Sequence, residues 1–190
     1  MSASTSDAIE KNKMLAGALY RANDPLLREE RLHARRLLKA YNDSAPDDVG
    51  LRLKLLGELL GKKEGSIEIE PPFRCDYGYN ISVGDGFYAN FNCVILDCAR
   101  VEIGRNVFLA PFVQIYTATH PIDAATRNSG LESALPITIG NDVWIGGGAI
   151  LNPGVTIGSG SVIGAGSVVT RNIPPKVLAV GNPCRPIRDL

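Results

Sequence analysis

The side chain best suited to chemistry in this sequence is His120. Histidine has an ordinary pKa close to neutral, so it can take a proton and give it back under mild conditions. His120 lies in the polar stretch YTATHPIDAATRNSGLESALP. Pro121 follows it directly, which holds His120 away from helical angles in an extended conformation. The stretch is long for a connection in a compact domain, and such connections often carry function. The other histidine, His33, sits among Arg31, Arg35 and Arg36 and reads as part of a solvated helix face. Upstream, FRCDYGYNISVGDGFYANFNCVILDC is dense in groups that hydrogen-bond a polyol: Asp76, Tyr77, Tyr79, Asn80, Tyr88, Asn90, Asn92 and Asp97. Asparagine and aspartate also stabilise tight corners, so composition leaves both roles open. Arg171, Lys176, Arg185 and Arg188 make the C-terminal end basic, suited either to phosphates or to a solvated tail balanced by Asp189. Cys75, Cys93, Cys98 and Cys184 form no Cys-x-x-Cys pair and have no histidine near them. They read as buried or half-buried thiols, with no metal site expected.

The element that must position these groups is a repeat. In ITIGNDVWIGGGAILNPGVTIGSGSVIGAGSVVT an aliphatic residue falls every six positions, at Ile139, Ile145, Leu151, Ile157, Ile163 and Val169. A small or polar residue follows each one. Six residues fit one short strand plus one corner of a flat-sided coil, whose stacked rungs bury a continuous aliphatic column. The same phase runs through Val83, Ala89 and Ile95, then through Ile103, Leu109 and Ile115, with two extra residues between Ile95 and Ile103. The long interruption between Ile115 and Ile139 holds His120. A regular scaffold with one histidine-bearing excursion, residues 116–136, is where a site is expected.

Residues 1–65 read as a small helical region, and residues 66–190 as the coil with a C-terminal tail at 171–190. Asp7 with Glu10 resembles a capping box, and Leu15, Leu19 and Tyr20 follow at helical spacing. Asp24-Pro25 is an N-cap followed by proline at the first helical position. That helix places Leu27, Leu37, Leu38 and Tyr41 on one face. Asp47 or Asp48 starts a third helix filled by Leu51, Leu55, Leu56, Leu59 and Leu60, with Gly61 as its stop. Amphipathic helices need a surface, and the open end of a coil needs a cap. From Ile67 the period changes to two, which reads as strand entry. Pro174, Pro175, Pro183 and Pro186 are expected to prevent a further rung. Net charge is zero, which speaks against a nucleic-acid partner. No segment reaches the apolar length of a membrane span, and MSASTSDAIEKNK lacks the apolar core of a signal peptide. The expected location is therefore cytoplasmic.

FRCDYGYN, FYANFNCVILD, YTATHPID, PITIGNDVWIGGGAILNPGVTIG and GNPCR, with MLAGALYRANDPLLREE near the start, together resemble the maltose and galactoside O-acetyltransferases, which use acetyl-CoA. YTATHPID looks closer to the maltose branch. The resemblance covers nearly the whole chain. It implies a mainly β fold, a left-handed parallel β-helix of hexapeptide repeats, assembled as a homotrimer with active sites between subunits. It implies His120 as the catalytic residue and Asp76, Tyr88 and Asn90 as acceptor-binding residues. Gly147, Ala165, Thr170, Arg171, Arg185 and Arg188 fall on its coenzyme-binding positions. Three positions depart from the galactoside branch: Gly147 replaces a serine, Cys98 replaces an aspartate, and Ala22 falls where an aspartate reaches the acceptor. The expected reaction is direct acetyl transfer from acetyl-CoA to a sugar hydroxyl, with His120 as general base and the Gly147 N–H at the oxyanion. Trp144 is expected beside the pantetheine slot or at a subunit contact. Rival readings are an acetyltransferase for a galactoside, an amino acid or an antibiotic, and a non-catalytic β-helix assembly subunit. A zinc enzyme on the same kind of coil would need more histidines than this chain has.

Overall fold

A computed structural model describes residues 9–190; Asp7, and with it the expected capping pair, lies outside them. The hexapeptide strands stack into a three-sided prism. The first face carries Lys62–Lys63, Ile81–Val83, Val101–Ile103, Ile137–Ile139 and Thr156–Ile157. The second carries Ile67–Ile69, Phe87–Ala89, Phe108–Leu109, Trp144–Ile145, Val162–Ile163 and Val177–Val180. The third carries Arg74–Cys75, Val94–Leu96, Gln114–Tyr116, Ile150–Leu151 and Val168–Val169. Each of these neighbouring pairs is parallel, with Ile139 opposite Ile157, Ile145 opposite Ile163 and Leu151 opposite Val169.

That register corrects the expected single aliphatic column. Successive residues of the six-residue repeat lie on successive faces, and stacking joins those a full coil apart. Three columns therefore meet inside the prism. All are sealed: Ile145, Leu151, Ile157, Ile163 and Val169 have no exposed surface. The early coils are two residues longer, Val83 facing Ile103 and Cys75 facing Ile95. The extra residues lie at the edge between the third and first faces, at residues 76–80 and 97–100.

After helix α1 (Ile9–Leu15), Asp24 caps helix α2 (Pro25–Asn42), its Oδ1 accepting from the N–H groups of Leu26 at 3.0 Å and Leu27 at 3.3 Å. Asp48 caps helix α3 (Val49–Leu59) by accepting from Leu51 N–H at 3.1 Å. Leu38, Tyr41, Leu55, Leu56, Leu59 and Leu60 join the core of the first coils, so the two helices plug the end of the prism; Leu51 stays exposed. One expectation fails here. The first helix ends at Leu15, and both Leu15 and Leu19 are exposed, while Tyr20 lies in a strand. Gly17, at φ 72°, turns the chain between them. Helix α3 ends at Leu59 with Leu60 as its cap, so the stop falls at Gly61 as expected, but not by a left-handed turn. The Gly61 N–H donates to Gly78 O and Ile81 O, and a Cβ there would lie 1.9 Å from Tyr79 O. It is a close-approach glycine where helix meets coil. Gly61→Ala is expected to lower stability by about 3 kcal/mol or more, the upper range for overpacking, read from a denaturant melt.

The excursion is a strand pair with a short helix at its tip, not an irregular loop. Ala118–Thr119 pairs antiparallel with Leu131–Ala134, which pairs antiparallel with Tyr20–Arg21. The N-terminal segment therefore braces the histidine hairpin as well as capping the coil. The prolines near the end do not prevent another turn. Ile173 bridges Ile157, Val177–Val180 lies parallel to Val162–Ile163, and Arg185–Asp189 then folds back antiparallel. Pro174 and Pro175 fall at the corner between Ile173 and Val177, so the ladder loses no donor.

Candidate active site

His120 lies at the edge between the third and first faces, one residue beyond Thr119 of the hairpin. Its side chain is 58% exposed, and Nε2 lies 3.9 Å from Oε2 of Glu132. Glu132 is only 17% exposed, and its other oxygen accepts the hydroxyl hydrogen of Tyr20. Tyr20 is fully buried with Met14, Leu27, Tyr77, Cys98, Ala99 and Ala134 in a small core of its own beneath the hairpin. Burial pushes the Tyr20 hydroxyl well above its ordinary pKa, so it stays a donor.

Asp76 shares this edge. Its Oδ2 accepts from Cys98 Sγ at 3.5 Å. Burial raises its pKa, and Arg31 and Arg35 pull it back. Ala22 contributes packing to the small core, and its carbonyl accepts from Arg31. Asp97, by contrast, has no exposed surface. One carboxylate oxygen accepts from the N–H groups of Asp76 at 3.0 Å and Tyr77 at 2.9 Å, the other from Asn80 at 3.3 Å. Asp97 is a corner clamp and does not face an acceptor. Other members of the polar stretch are also occupied. Asn80 donates to Asp97 O, Tyr79 donates to Glu30, and the Tyr77 hydroxyl accepts from Arg31.

A second group gathers on the other side of the third face. Tyr88, Phe108 and Trp144 stand in register on the outside of the second face, with Tyr88 and Phe108 ring centroids 6.4 Å apart. With Asn90, Leu109 and Ala110 they line a shallow apolar depression. Phe108 and Trp144 are about half exposed, at 49% and 54%. Asn90 Oδ1 accepts from Phe91 N–H at 2.7 Å. Along the adjoining edge run Gly147 and Ala165. Gly146 N–H donates to Ile163 O and Gly148 N–H to Pro111 O, while among the described residues Gly147 N–H has no backbone acceptor. A Cβ on Gly147 would lie 3.3 Å from Pro111 O, so a side chain there would crowd the stacked corner below.

Arg185 follows on that edge, with Nη1 donating to Cys184 O at 2.7 Å. Arg188 sits opposite Leu178 in the returning strand. Thr170 and Arg171 are exposed at the His120 edge, higher along the prism. Among the described residues none of these arginines forms an ion pair, so their charge is available to an anion. The four cysteines are free and buried. Burial raises the Cys93 thiol to about 11 and Cys75 well above its ordinary value, which removes them as thiolate nucleophiles at neutral pH. Among the described residues no group of three or more His, Cys, Asp or Glu side chains could hold a metal ion, and no helix is long and apolar enough to cross a membrane.

The chain thus places His120 and Asp76 on one edge, and Tyr88, Asn90, Gly147, Ala165 and Arg185 at the other, with the third face between. Glu132 and Tyr20 are the residues the sequence reading missed. Glu132 is the one carboxylate of the excursion besides Asp123, which caps its short helix by accepting from Thr126 N–H. That was the available signal.

The stacked coils are those of the hexapeptide-repeat acyltransferases, mainly β proteins with a left-handed parallel β-helix. Residues 136–171 match the family described as bacterial transferase hexapeptide (six repeats), and residues 13–65 match the maltose acetyltransferase hexapeptide capping motif. Galactoside O-acetyltransferase of Escherichia coli K12 is 45% identical over 178 residues, covering 94% of this chain and 88% of that protein. The crystal structure of a maltose O-acetyltransferase from Clostridium difficile 630 is 54% identical, covering 95% of this chain and 97% of that one, with a TM-score of 0.95. A hexapeptide-repeat acetyltransferase from Vibrio cholerae O1 biovar eltor, solved with acetyl coenzyme A, is 39% identical, covering 95% of this chain and 98% of that one, with a TM-score of 0.89. The chain belongs to the maltose and galactoside acetyltransferase family. It is an acetyl-CoA-dependent acetyltransferase, with acetyl-CoA as co-substrate.

Proposed function

We propose that the protein transfers the acetyl group of acetyl-CoA to a hydroxyl of a sugar such as maltose or glucose, in a ternary complex, with His120 as general base. The observation that carries this reading is the placement of His120 and Asp76 on the same edge of the prism, His120 next to Glu132 and Asp76 next to Cys98, both of which meet the Tyr20 core. A sugar hydroxyl is a poor nucleophile at neutral pH. Neutral His120 takes its proton as the oxygen attacks the thioester carbonyl. The Gly147 N–H, which no backbone acceptor among the described residues uses, stabilises the oxyanion. As the tetrahedral intermediate collapses, the carbon–sulfur bond breaks and the histidine proton goes to the departing thiolate. Asp76, Tyr88 and Asn90 orient the sugar. Gly147 and Ala165 leave a slot for the pantetheine arm, and Thr170, Arg171, Arg185 and Arg188 meet the coenzyme phosphates.

The two groups of residues lie on different edges of one prism, so the reading requires a homotrimer in which each site joins the His120 edge of one copy to the Gly147 edge of another. The half-exposed Phe108 and Trp144 support it, because large aromatics on a flat face call for cover. In this reading residues 1–65 cap the coil and brace the hairpin, residues 66–190 form the catalytic unit, and the enzyme works in the cytoplasm, where acetyl-CoA is available.

Thiol release from acetyl-CoA, measured against glucose, maltose, galactosides, serine and chloramphenicol, tests the acceptor class. Sugar-dependent release with little from serine or chloramphenicol is expected. Release with serine or chloramphenicol alone overturns it. Arg185→Ala is expected to raise KM for acetyl-CoA about 10- to 100-fold, the worth of a charged hydrogen bond, without changing KM for the sugar.

A further inference from the structure

His120 sits where the hairpin ladder ends. Ala118 pairs with Ala134 and Thr119 with Ser133, and the chain then leaves the strand. Pro121 has a fixed φ and holds the residue before it extended. Beyond Pro121 the turn has no packing to steady it, because Ile122 is 97% exposed. Among the described residues no backbone N–H reaches the carbonyl of Pro121 or of Ile122. One side chain takes both. Nη1 of Arg127 donates to Pro121 O at 3.1 Å and to Ile122 O at 3.0 Å. Arg127 is itself held. It belongs to helix α4 (Ala124–Asn128), whose N-cap Asp123 accepts from the Thr126 N–H and hydroxyl, both at 2.7 Å. At the other end Ser129 N–H closes onto Ala125 O, and Ser129 O accepts from Arg21 Nη1 at 3.0 Å. The Arg21 N–H donates to Glu10 at 2.6 Å. A chain of contacts thus runs from α1 through the N-terminal strand and α4 to the two peptides that follow His120. Arg127 is exposed, so water could satisfy both carbonyls in its place, and ordering its side chain costs entropy. What Arg127 adds is a fixed shape for the turn.

We propose that Arg127 is a positioning residue for acetyl transfer: by clamping the carbonyls of Pro121 and Ile122 it fixes the backbone from which His120 is aimed. Thr119, paired with Ser133, holds the chain on one side of His120, and the Arg127 clamp holds it on the other. The imidazole meets Glu132 only at 3.9 Å, beyond hydrogen-bond reach, so its aim depends on the backbone that carries it. A base displaced by about 1 Å loses about a hundredfold in rate. Arg127 acts through His120 and touches neither acceptor nor coenzyme. Arg21 stands behind it as an outer brace. The assignment rests on the proposed role of His120 as general base and adds the group that holds that base in place.

The test uses the full-length protein and the best sugar of the panel, with Arg127→Ala and Arg127→Met made in the parent and again in the His120→Ala background. Arg127→Ala is expected to lower kcat about 10- to 100-fold, with KM for acetyl-CoA within about twofold of the parent and an unchanged thermal melt, as for a surface substitution. Arg127→Met keeps the apolar stem and removes the donors, so it should match Arg127→Ala. Arg21→Ala removes only the outer brace and should cost less than either. In the His120→Ala background the Arg127 replacements should cost nothing further, because a group that acts only through the base has no effect once the base is gone. A kcat within about twofold of the parent in both Arg127 variants overturns the assignment. So does the same fold-loss in both backgrounds, or a raised KM for acetyl-CoA with kcat unchanged, since each means that Arg127 does not act through His120. Full turnover by His120→Ala alone removes instead the reading on which the assignment rests.

Discussion

His120→Ala is expected to lower kcat for sugar acetylation about a hundred- to ten-thousand-fold, the usual contribution of a positioned general base. The coenzyme side of the reaction should be untouched. In the proposed trimer Gly147, Ala165 and Arg185 of one copy hold the coenzyme, whereas His120 of the other copy meets only its acetyl end. Acetyl-CoA binding by calorimetric titration should therefore stay within about twofold of the parent, inside the ordinary scatter of surface substitutions. Stability should hardly move. His120 is more than half exposed, and among the described residues it makes one charged contact, to Glu132 at 3.9 Å, so its removal opens no core and breaks no hydrogen bond. A large loss of kcat with unchanged melting and unchanged coenzyme binding separates catalysis from folding. Equal losses in kcat and coenzyme affinity would instead point to a collapsed site.

Asp97→Ala is expected to cost the fold about 3 kcal/mol or more of stability. Three backbone N–H groups at the 76–80 corner depend on this one side chain. Leaving buried donors unpaired costs about 1–3 kcal/mol each, offset in part by water entering the space. For a chain of this size that is a fall in Tm of about 6–12 °C. Asp97 also sets a pH dependence. Its amide bonds favour the carboxylate, but burial outweighs them and raises its pKa to about 6 from an ordinary 3.8. The native state therefore holds the proton more tightly than the unfolded chain. This contribution to stability is fully present below the ordinary carboxylate value. It is lost as pH rises from about 4 through 6, a swing of about 3 kcal/mol at most. Asp97→Asn should remove that slope, because an amide does not titrate. Thermal melts of parent and variant between pH 4 and 7 check it: the parent should lose stability relative to the variant as pH rises. A flat difference across that window contradicts the assignment. Because Asp97 holds the backbone of Asp76, the same variants should also raise KM for the sugar.

The repeating coil was legible because burial on a flat-sided prism imposes a six-residue period, and Ile139 through Val169 show it without interruption. The helix starts at Asp24 and Asp48 were legible because capping is local chemistry. What escaped depends on which parts of the chain lie beside each other. The period reports that Ile145 is buried but not that it stacks on Ile163, so one column was expected where there are three. Gly61 reads as a helix stop by type, but its reason is the carbonyl of Tyr79 beside it. Asp97 reads equally as a ligand for a polyol and as a corner clamp, and only the three converging N–H groups decide. The proline-rich end hid a further turn because Pro174 and Pro175 fall at a corner. His120 stands out in the sequence because it lies in the interruption of the repeat. Its neighbour Glu132 does not, because the hairpin register that sets them opposite each other is tertiary. The two-edged arrangement of the candidate site has the same origin: spacing along the chain does not say which edge of the prism a residue occupies.

The most direct test of acetyl transfer to a sugar through His120 follows the acetyl group itself. Acetyl-CoA labelled in the acetyl carbon would be incubated with maltose and the parent enzyme, and the products separated by mass spectrometry and NMR, with His120→Ala alongside. The account predicts labelled acetylmaltose in amounts equal to the free CoA released, an unmodified protein mass throughout, and almost no ester from the variant. Label recovered as acetate or attached to the protein, or equal ester formation by His120→Ala, would contradict it.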